Sequence, residues 1–364
     1  MIYRIIPHTG DKISIIGMGS GVVGEQKEAD IIATVRYAVE NGINYFDMAG
    51  GHASIFPAYG KALADCRKNV LLQVHFGADY TSGQYGWDLS LDAVKKSVDW
   101  QMKHLQTDYI DFGFMHCLDE ENDLNTYLAN RVLDYILELK KQGVVRHIGL
   151  STHSPAMANK VLDIGIIDML MFSINPMYDY GQGDYAMGGG NERYELYCRC
   201  EKEGVGISVM KPFNGGLLLD GAKSPFKKAL TTVQCLQYAL DRPGVLTVMQ
   251  GAGNIPQLKE NLAYLNATEE EKDYSIIGSF TPEETTGKCV YCKHCHPCPA
   301  GLDIGLINKY YDLARLGDDL AKEHYLTLEK TASDCIGCGH CDSRCPFHVA
   351  QSARMQEIKA YFGK

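Results

Sequence analysis

Residues 109–150 read YIDFGFMHCLDEENDLNTYLANRVLDYILELKKQGVVRHIGL, and the pattern of this stretch decides the fold. Tyr109–Met115 and Val145–Leu150 are apolar runs of the kind that strands buried on both faces require, and Arg131–Lys141 between them has the spacing of an amphipathic helix. Strand, crossover helix and returning strand make the unit of a parallel sheet. The same alternation continues in both directions. Strands are predicted at Ser14–Met18, Ile43–Asp47, Val70–Val74, Tyr109–Met115, Val145–Leu150, Met169–Ile174, Val205–Met210 and Val245–Met249. Helical patterns fall at Lys27–Glu40, Leu91–His104, Arg131–Lys141, Pro155–Asp163, Arg193–Glu203, Thr231–Leu240 and Pro256–Leu265. Eight such units in about 265 residues match the size of an α/β (β/α)8 TIM barrel. Residues 1–13 read as a hairpin turning at Thr9-Gly10-Asp11.

Gly19-Ser20-Gly21-Val22-Val23-Gly24 has the form GxGxxG, with Asp47 further on, and so imitates the dinucleotide fingerprint of an open doubly wound sheet. Such a sheet would leave the other βα units without a place, so these glycines are assigned to the first barrel loop. Two later loops exceed what a βα turn needs. One runs Gly77–Ser90 with Tyr80, Tyr85 and Trp87; the other runs Asn175–Glu192 with Tyr178, Tyr180 and Tyr185. Both follow barrel strands and are expected to cover the face where barrel enzymes keep their sites.

After the barrel (residues 1–265) comes a charged stretch, 266–287, expected as a linker and including Thr281-Pro282-Glu283-Glu284. Residues 288–364 then carry Cys289-x2-Cys292-x2-Cys295-x2-Cys298-Pro299 and Cys335-x2-Cys338-x2-Cys341-x3-Cys345-Pro346. The second run is the bacterial ligand pattern for a 4Fe–4S cluster, and the first differs by one residue in its last gap. The fourth cysteine of such a run ligates the other cluster in two-cluster ferredoxins. Cys289, Cys292, Cys295 and Cys345 are therefore assigned to one cluster, and Cys335, Cys338, Cys341 and Cys298 to its partner. Zinc is a poorer reading of eight cysteines in two Cys-Pro-closed runs, and nothing marks the chain as secreted and disulfide-bonded. The C-terminal part is thus expected to be a ferredoxin-like domain with a helical insertion over Leu302–Lys330 and a last helix over Gln351–Phe362.

A net charge of −10 argues against nucleic acid or an anionic membrane as partner, since both select a basic face. No apolar run approaches spanning length and the N-terminus lacks the core of a signal peptide. A cytoplasmic protein is expected, in a cell that shields its clusters from oxygen, with an anaerobic habitat as the simplest setting.

Several segments carry a resemblance. They are Gly42-Ile43-Asn44-Tyr45-Phe46-Asp47-Met48-Ala49, Gly60-Lys61-Ala62-Leu63, Tyr109–His116, His147-Ile148-Gly149-Leu150-Ser151, and Gly251-Ala252-Gly253-Asn254 leading to Glu260-Asn261-Leu262. In this order they resemble the aldo/keto reductases, and the whole chain is similar to the branch with a C-terminal ferredoxin-like domain. The resemblance implies an Asp, Tyr, Lys, His tetrad in which the tyrosine protonates a carbonyl while NAD(P)H delivers hydride. The Asp position is Asp47 and the His position is His116. The tyrosine position, five after the Asp, holds His52, and the lysine position at the end of the third strand holds His75.

Asp47, His52, His75 and His116 are therefore expected to converge, as a proton-transfer set or as ligands of an additional metal. Tyr59 is held out of the missing role by the register of Gly60-Lys61-Ala62-Leu63. The resemblance also implies a nicotinamide cradle around Gly251, Gly253, Asn254, Gln257 and Asn261, but no basic residue opens that helix, which weakens NADP. Lys211 in Lys211-Pro212-Phe213-Asn214-Gly215-Gly216 is a candidate for a phosphate, of flavin or of NAD(P). The expected function is an iron–sulfur oxidoreductase. Electrons from a carrier such as ferredoxin or flavodoxin would pass through two 4Fe–4S clusters to a small organic substrate or bound mediator in the barrel mouth. The rival readings are an NAD(P)H-dependent aldo/keto reductase, an electron-transfer or redox-sensing protein with a vestigial barrel, and a metal-dependent lyase.

Overall fold

The computed structural model describes residues 1–181, 186–280 and 287–364. Tyr185 and Thr281-Pro282-Glu283-Glu284, singled out above, lie outside the described residues. The chain opens with an antiparallel hairpin of β1 (Tyr3–Ile5) and β2 (Lys12–Ser14). The barrel begins with β3 (Ile16–Gly19), β4 (Tyr45–Asp47) and β5 (Leu71–Phe76). A small hairpin of β6 (Ala78–Asp79) and β7 (Gly86–Trp87) follows. The barrel then continues with β8 (Ile110–Met115), β9 (Val145–Thr152), β10 (Met169–Ser173), β11 (Gly206–Met210) and β12 (Val245–Gln250). These eight strands are parallel, and β12 pairs β3 to close the barrel.

Strand parity sorts side chains into two layers. Tyr45, Leu71, Phe112, Phe114, Met169, Met171, Leu246 and Met249 form an inner cluster, capped at the bottom by Ile6 and Ile13 of the hairpin. Phe46, Leu72, Val74, Ile148 and Phe172 face the helical layer instead. Gly149 lies where the inner layer is tightest: a Cβ there would stand 2.4 Å from the Phe114 ring. A glycine is thus required for Phe114 to fill the barrel.

Among the described residues, helices beyond those expected include Ile55–Leu63 and Glu121–Ala129. The first was hidden by Pro57, tolerated in a first turn, and by Gly60. That glycine lets the helix touch backbone on Leu91–Leu105, since a Cβ would meet the His104 carbonyl at 2.3 Å. The second is short and mostly polar, which leaves little periodicity to read. The stretch expected as a linker is partly core: Tyr274 and Ile277 are fully buried.

In the C-terminal part the insertion forms helices Ile304–Arg315 and Asp319–Thr327, and the tail helix spans Gln351–Phe362. Leu302, Ile307, Tyr311, Tyr325, Met355 and Ile358 pack with Cys295 and Cys341, and the Tyr325 and Phe362 rings stack at 3.8 Å. This part is fastened to the barrel. The buried Arg242 guanidinium donates to the Tyr274 hydroxyl at 3.0 Å and to the Val290 carbonyl, and the Tyr194 and Tyr291 hydroxyls bond to each other. Among the described residues no helix is long and apolar enough to cross a membrane.

Candidate functional site

Parity places the site. Asp47 follows Tyr45 by two, Gln73 and His75 follow Leu71 by two and four, and His116 follows Phe114 by two. All four therefore point inward, where β4, β5 and β8 end. The register brings Asp47 opposite Gln73 and His75 opposite Phe114, so the polar side chains stack above the Phe114 ring, 5.4 Å from that of His75.

The contacts form a chain. His75 Nε2 lies 2.8 Å from Asp47 Oδ1, and His75 Nδ1 lies 2.9 Å from His116 Nδ1. His116 Nε2 lies 2.9 Å from the Tyr85 hydroxyl. The carboxylate only accepts, so His75 Nε2–H donates to it, which leaves Nδ1 of a neutral His75 as acceptor. His116 then donates from Nδ1 and accepts at Nε2 from the Tyr85 O–H. All donors run one way, from Tyr85 through His116 and His75 to Asp47. One added proton on His75 reverses the chain: both imidazoles then donate outward and the Tyr85 O–H is released toward the mouth.

Neighbours hold this arrangement. The Tyr45 hydroxyl donates to Gln73 Oε1 at 2.5 Å, fixing the amide so that its nitrogen lies 3.1 Å from Asp47 Oδ1, to which it donates, and 2.8 Å from His75 Nε2, which shares that oxygen. The Ala49 N–H also donates to Asp47 at 3.2 Å. Burial, and then the His75 charge when present, push His116 well below the usual histidine range, so His116 itself stays neutral. Burial raises the Tyr85 phenol to about 12.

His52 does not join them. It is exposed, and it contributes an isolated bridge to Gln84, the residue before Tyr85. The expected convergence of three histidines is thereby corrected: two meet, and the third fastens the loop that delivers a tyrosine. Tyr59 is fully buried in the outer layer against Phe46. Tyr80 is buried beneath the loop and donates to the Gly50 carbonyl at 2.8 Å.

A second group stands across the mouth. Asp119 Oδ2 lies 2.8 Å from His153 Nδ1, and His153 Nε2 lies 2.8 Å from Lys211 Nζ. Asp119 Oδ1 also accepts from Thr152 Oγ1 at 2.9 Å and from the His153 N–H at 2.6 Å. These bonds hold the Asp119 carboxyl down to about 2 against the opposing effect of burial. Burial lowers Lys211 to about 8 and raises the neighbouring Cys117 thiol to about 12. Cys117 Sγ, Asp119 and His153 place one ligand-type atom each within 4.8 Å of one another.

Both groups border one cavity of about 530 Å3, lined among others by Asp47, Tyr85, His116, His153, Lys211 and Gly251. The expected nicotinamide residues beyond Gly251 are bonded within the chain. Gln257 Oε1 accepts from the Gly253 N–H at 2.8 Å, Asn254 Oδ1 caps the Gln257 N–H at 3.0 Å, and Asn261 donates to Gln250 Oε1 at 2.7 Å.

The cysteines gather into two hollows. Cys289, Cys292, Cys295 and Cys345 line one, and Cys298, Cys335, Cys338 and Cys341 line the other, with Cys295 on its wall. Burial raises the thiols of Cys289 and Cys341 to about 11 and that of Cys295 to about 12. Thiolates there need a cation in place of the proton, and four converging sulfurs in each hollow fit iron–sulfur clusters.

Residues 15–232 match the aldo/keto reductase family. The chain belongs to that family. Residues 285–349 match the 4Fe–4S dicluster domain. Over 302 residues the chain is 29% identical to L-galactose dehydrogenase of Arabidopsis thaliana, covering 73% of this chain and 88% of the relative. Its barrel is similar to that of an aldo-keto reductase from Bacillus halodurans in its holo form, with TM-score 0.59, 24% identity and coverage of 75% and 94% of the two chains. It also resembles an aldo-keto reductase from Klebsiella pneumoniae in complex with NADPH, with TM-score 0.57, 17% identity and coverage of 78% and 97%. The chain is thus an aldo/keto reductase with a dicluster domain, an oxidoreductase by family.

Within that family frame, the residues that sequence reasoning missed are Tyr85, Gln73 and the Asp119–His153–Lys211 group. Gln73 had a signal: it shares parity with His75. Asp119 and His153 follow strand ends at which catalytic residues of barrels are common. Tyr85 had none beyond its place in an overlong loop.

Proposed function

We propose that this aldo/keto reductase interconverts a small carbonyl compound and its alcohol at the barrel mouth, exchanging electrons singly with a carrier through its dicluster domain. The observation that carries the reading is the one-way hydrogen-bond chain ending on Tyr85 at the cavity. Reduction of a carbonyl consumes two electrons and two protons. Clusters bound by the two cysteine sets would supply one-electron exchange, with a small reduced protein such as ferredoxin or flavodoxin as the external partner.

The chain's own residues account for the protons. With an added proton beside Asp47, both imidazoles donate outward and Tyr85 O–H faces the substrate oxygen, the arrangement for reduction. In the neutral state Tyr85 O–H points to His116, and its oxygen accepts from an alcohol, the arrangement for oxidation. The fixed Gln73 and Ala49 donors hydrogen-bond the Asp47 carboxylate and hold it in place in either state. A phenol unaided by a cation is a weak acid near neutrality, and the histidine pair takes over the assistance.

A second reading, direct NAD(P)H-linked reduction, is favoured by the same Tyr85, which returns a phenol to the mouth, and by the bound NADPH of the Klebsiella relative. The two are separated by supplying anaerobic holoprotein and a panel of short aldehydes either with reduced ferredoxin or with NADPH. Turnover with ferredoxin alone supports the proposal. Turnover with NADPH that survives removal of the clusters refutes it.

A further inference from the structure

We propose that Gln351 sets the reduction potential of the barrel-side cluster by donating an amide hydrogen bond to its Cys289 sulfur. The inference rests on the reading that both cysteine hollows hold 4Fe–4S clusters, and it is independent of what the barrel mouth reduces.

A run of buried side chains fixes which end of the amide enters the hollow. The Asp312 carboxylate pairs with the Arg354 guanidinium, which also bonds Asn308 Oδ1 through its Nε–H. A guanidinium only donates, so the Asn308 atom facing it is the oxygen, and the NH2 points the other way. That NH2 gives one hydrogen to the Ile304 carbonyl at 2.7 Å and the other to Gln351 Oε1 at 2.9 Å. The Gln351 oxygen is thus engaged, and its own NH2 is left for the hollow that Gln351 lines together with Cys289, Cys292, Cys295 and Cys345. Both amides are shut off from water, with Asn308 fully buried and Gln351 2% exposed. Burial pushes the Cys289 thiol up to about 11, and against it the Tyr291 N–H and the Gln351 side chain favour the anionic sulfur.

The next residue spends its donors differently. Ser352 lines the other hollow, yet its N–H donates to Asp342 Oδ1 at 2.8 Å and its hydroxyl to Asp342 Oδ2. The charge of that carboxylate adds to burial in pushing up the neighbouring Cys341 thiol. One step along the tail helix therefore separates a donor to sulfur from a donor to carboxylate.

A cluster gains negative charge on reduction, and hydrogen bonds to its sulfurs are among the features that set its potential. A donor on a ligand sulfur stabilises the reduced form more than the oxidised one, so Gln351 raises the potential of its cluster. That cluster is the one fastened to the barrel, because the Val290 carbonyl, next to Cys289, accepts from the buried Arg242. Electrons are thereby drawn to the barrel side of the pair.

Both potentials are read by EPR-monitored redox titration of anaerobically purified holoprotein. Gln351→Met keeps a side chain of similar length and loses the donor. One midpoint should then fall, with the reduction equilibrium shifted about three- to tenfold, or about 30–60 mV for a one-electron couple. The other midpoint should hold, and iron should stay at about eight per chain. Gln351→Glu puts a carboxylate oxygen where the NH2 stood and should lower the same midpoint at least as far. Ser352→Ala should leave that midpoint in place.

Unmoved midpoints in both Gln351 variants overturn the proposal, as does a shift of the same midpoint in Ser352→Ala. Equal shifts of the two midpoints, or iron lost from either Gln351 variant, overturn it in favour of a structural role for the residue. The cluster reading beneath it fails separately, as a parent protein without iron and acid-labile sulfide.

Discussion

Replacing Tyr85 by phenylalanine removes one hydroxyl and tests the whole proton chain. The lost hydroxyl contacts His116 Nε2 at 2.9 Å from a loop whose Tyr85 side is 44% exposed. Its hydrogen bond is worth about 0.5–1.5 kcal/mol to the fold, so the variant should melt within a few degrees of the parent. The ring keeps its contacts with Tyr80 and His116, at 5.9 and 5.8 Å between centroids. Loss of a positioned general acid should instead slow turnover by about 10²–10⁴, or about 3–5 kcal/mol of barrier. Iron and acid-labile sulfide should not change, since none of the residues lining either cysteine hollow comes from that loop. The assay is carbonyl reduction under single turnover with the electron source that supports the parent, read beside thermal unfolding. The pH profile adds a second check. Reduction of the carbonyl takes up protons through the relay, so the reductive rate should fall as pH rises. In Tyr85→Phe that slope should disappear. A variant within about threefold of the parent, with the slope intact, would show that the proton arrives by another route.

Three further outcomes follow from the same geometry. His52→Ala should leave turnover within about twofold, because its side chain is exposed and outside the relay, whereas His75→Ala should cost about 10² or more; kinetics of both variants decide it. Cys298→Ala should cost the cluster of Cys335, Cys338 and Cys341, lowering iron from about eight to about four per chain. Adding Cys335→Ala should then lower it no further, and adding Cys289→Ala should remove the rest; any other pattern of iron counts rejects the crossed grouping. Gly149→Ala sets a methyl 2.4 Å from the Phe114 ring and should destabilise the barrel by about 1–3 kcal/mol, measured by urea unfolding, and shift the His75 ring resting on Phe114.

The fold was readable because barrel strands are defined by local rules. Continuous apolar runs recur eight times, caps such as Ser154-Pro155 and Asn254-Ile255-Pro256 mark helix starts between them, and errors at single elements do not disturb the whole. The cysteine hollows were readable for a related reason: three ligands three residues apart constrain one loop, and only the fourth depends on tertiary packing. What failed were inferences about residues between elements. His52 sits five after Asp47, but the chain there enters the helix Ile55–Leu63, whose proline and glycine concealed it, and the turn carries His52 outward. A position counted along a motif is reliable only while the backbone stays in the element the motif assumes.

Tyr85 illustrates the converse. Its place is set by contacts no local pattern encodes: the bridge from Gln84 to His52, the Tyr80 anchor on the Gly50 carbonyl and the β6–β7 pairing of Asp79 with Gly86. The three inward members of the relay are bound to the barrel by parity, because β4, β5 and β8 cannot turn Asp47, His75 and His116 outward without exposing Tyr45, Leu71 and Phe112. The phenol is under no such constraint, and a loop supplies it at the cost of ordering a few residues. A barrel mouth therefore has a fixed part, written in strand parity, and an exchangeable part, written in loops. On that proposal, a histidine at position 52 does not count against an active mouth. Under the proposed function, the proton donor sits instead on a neighbouring loop, with two histidines assisting it.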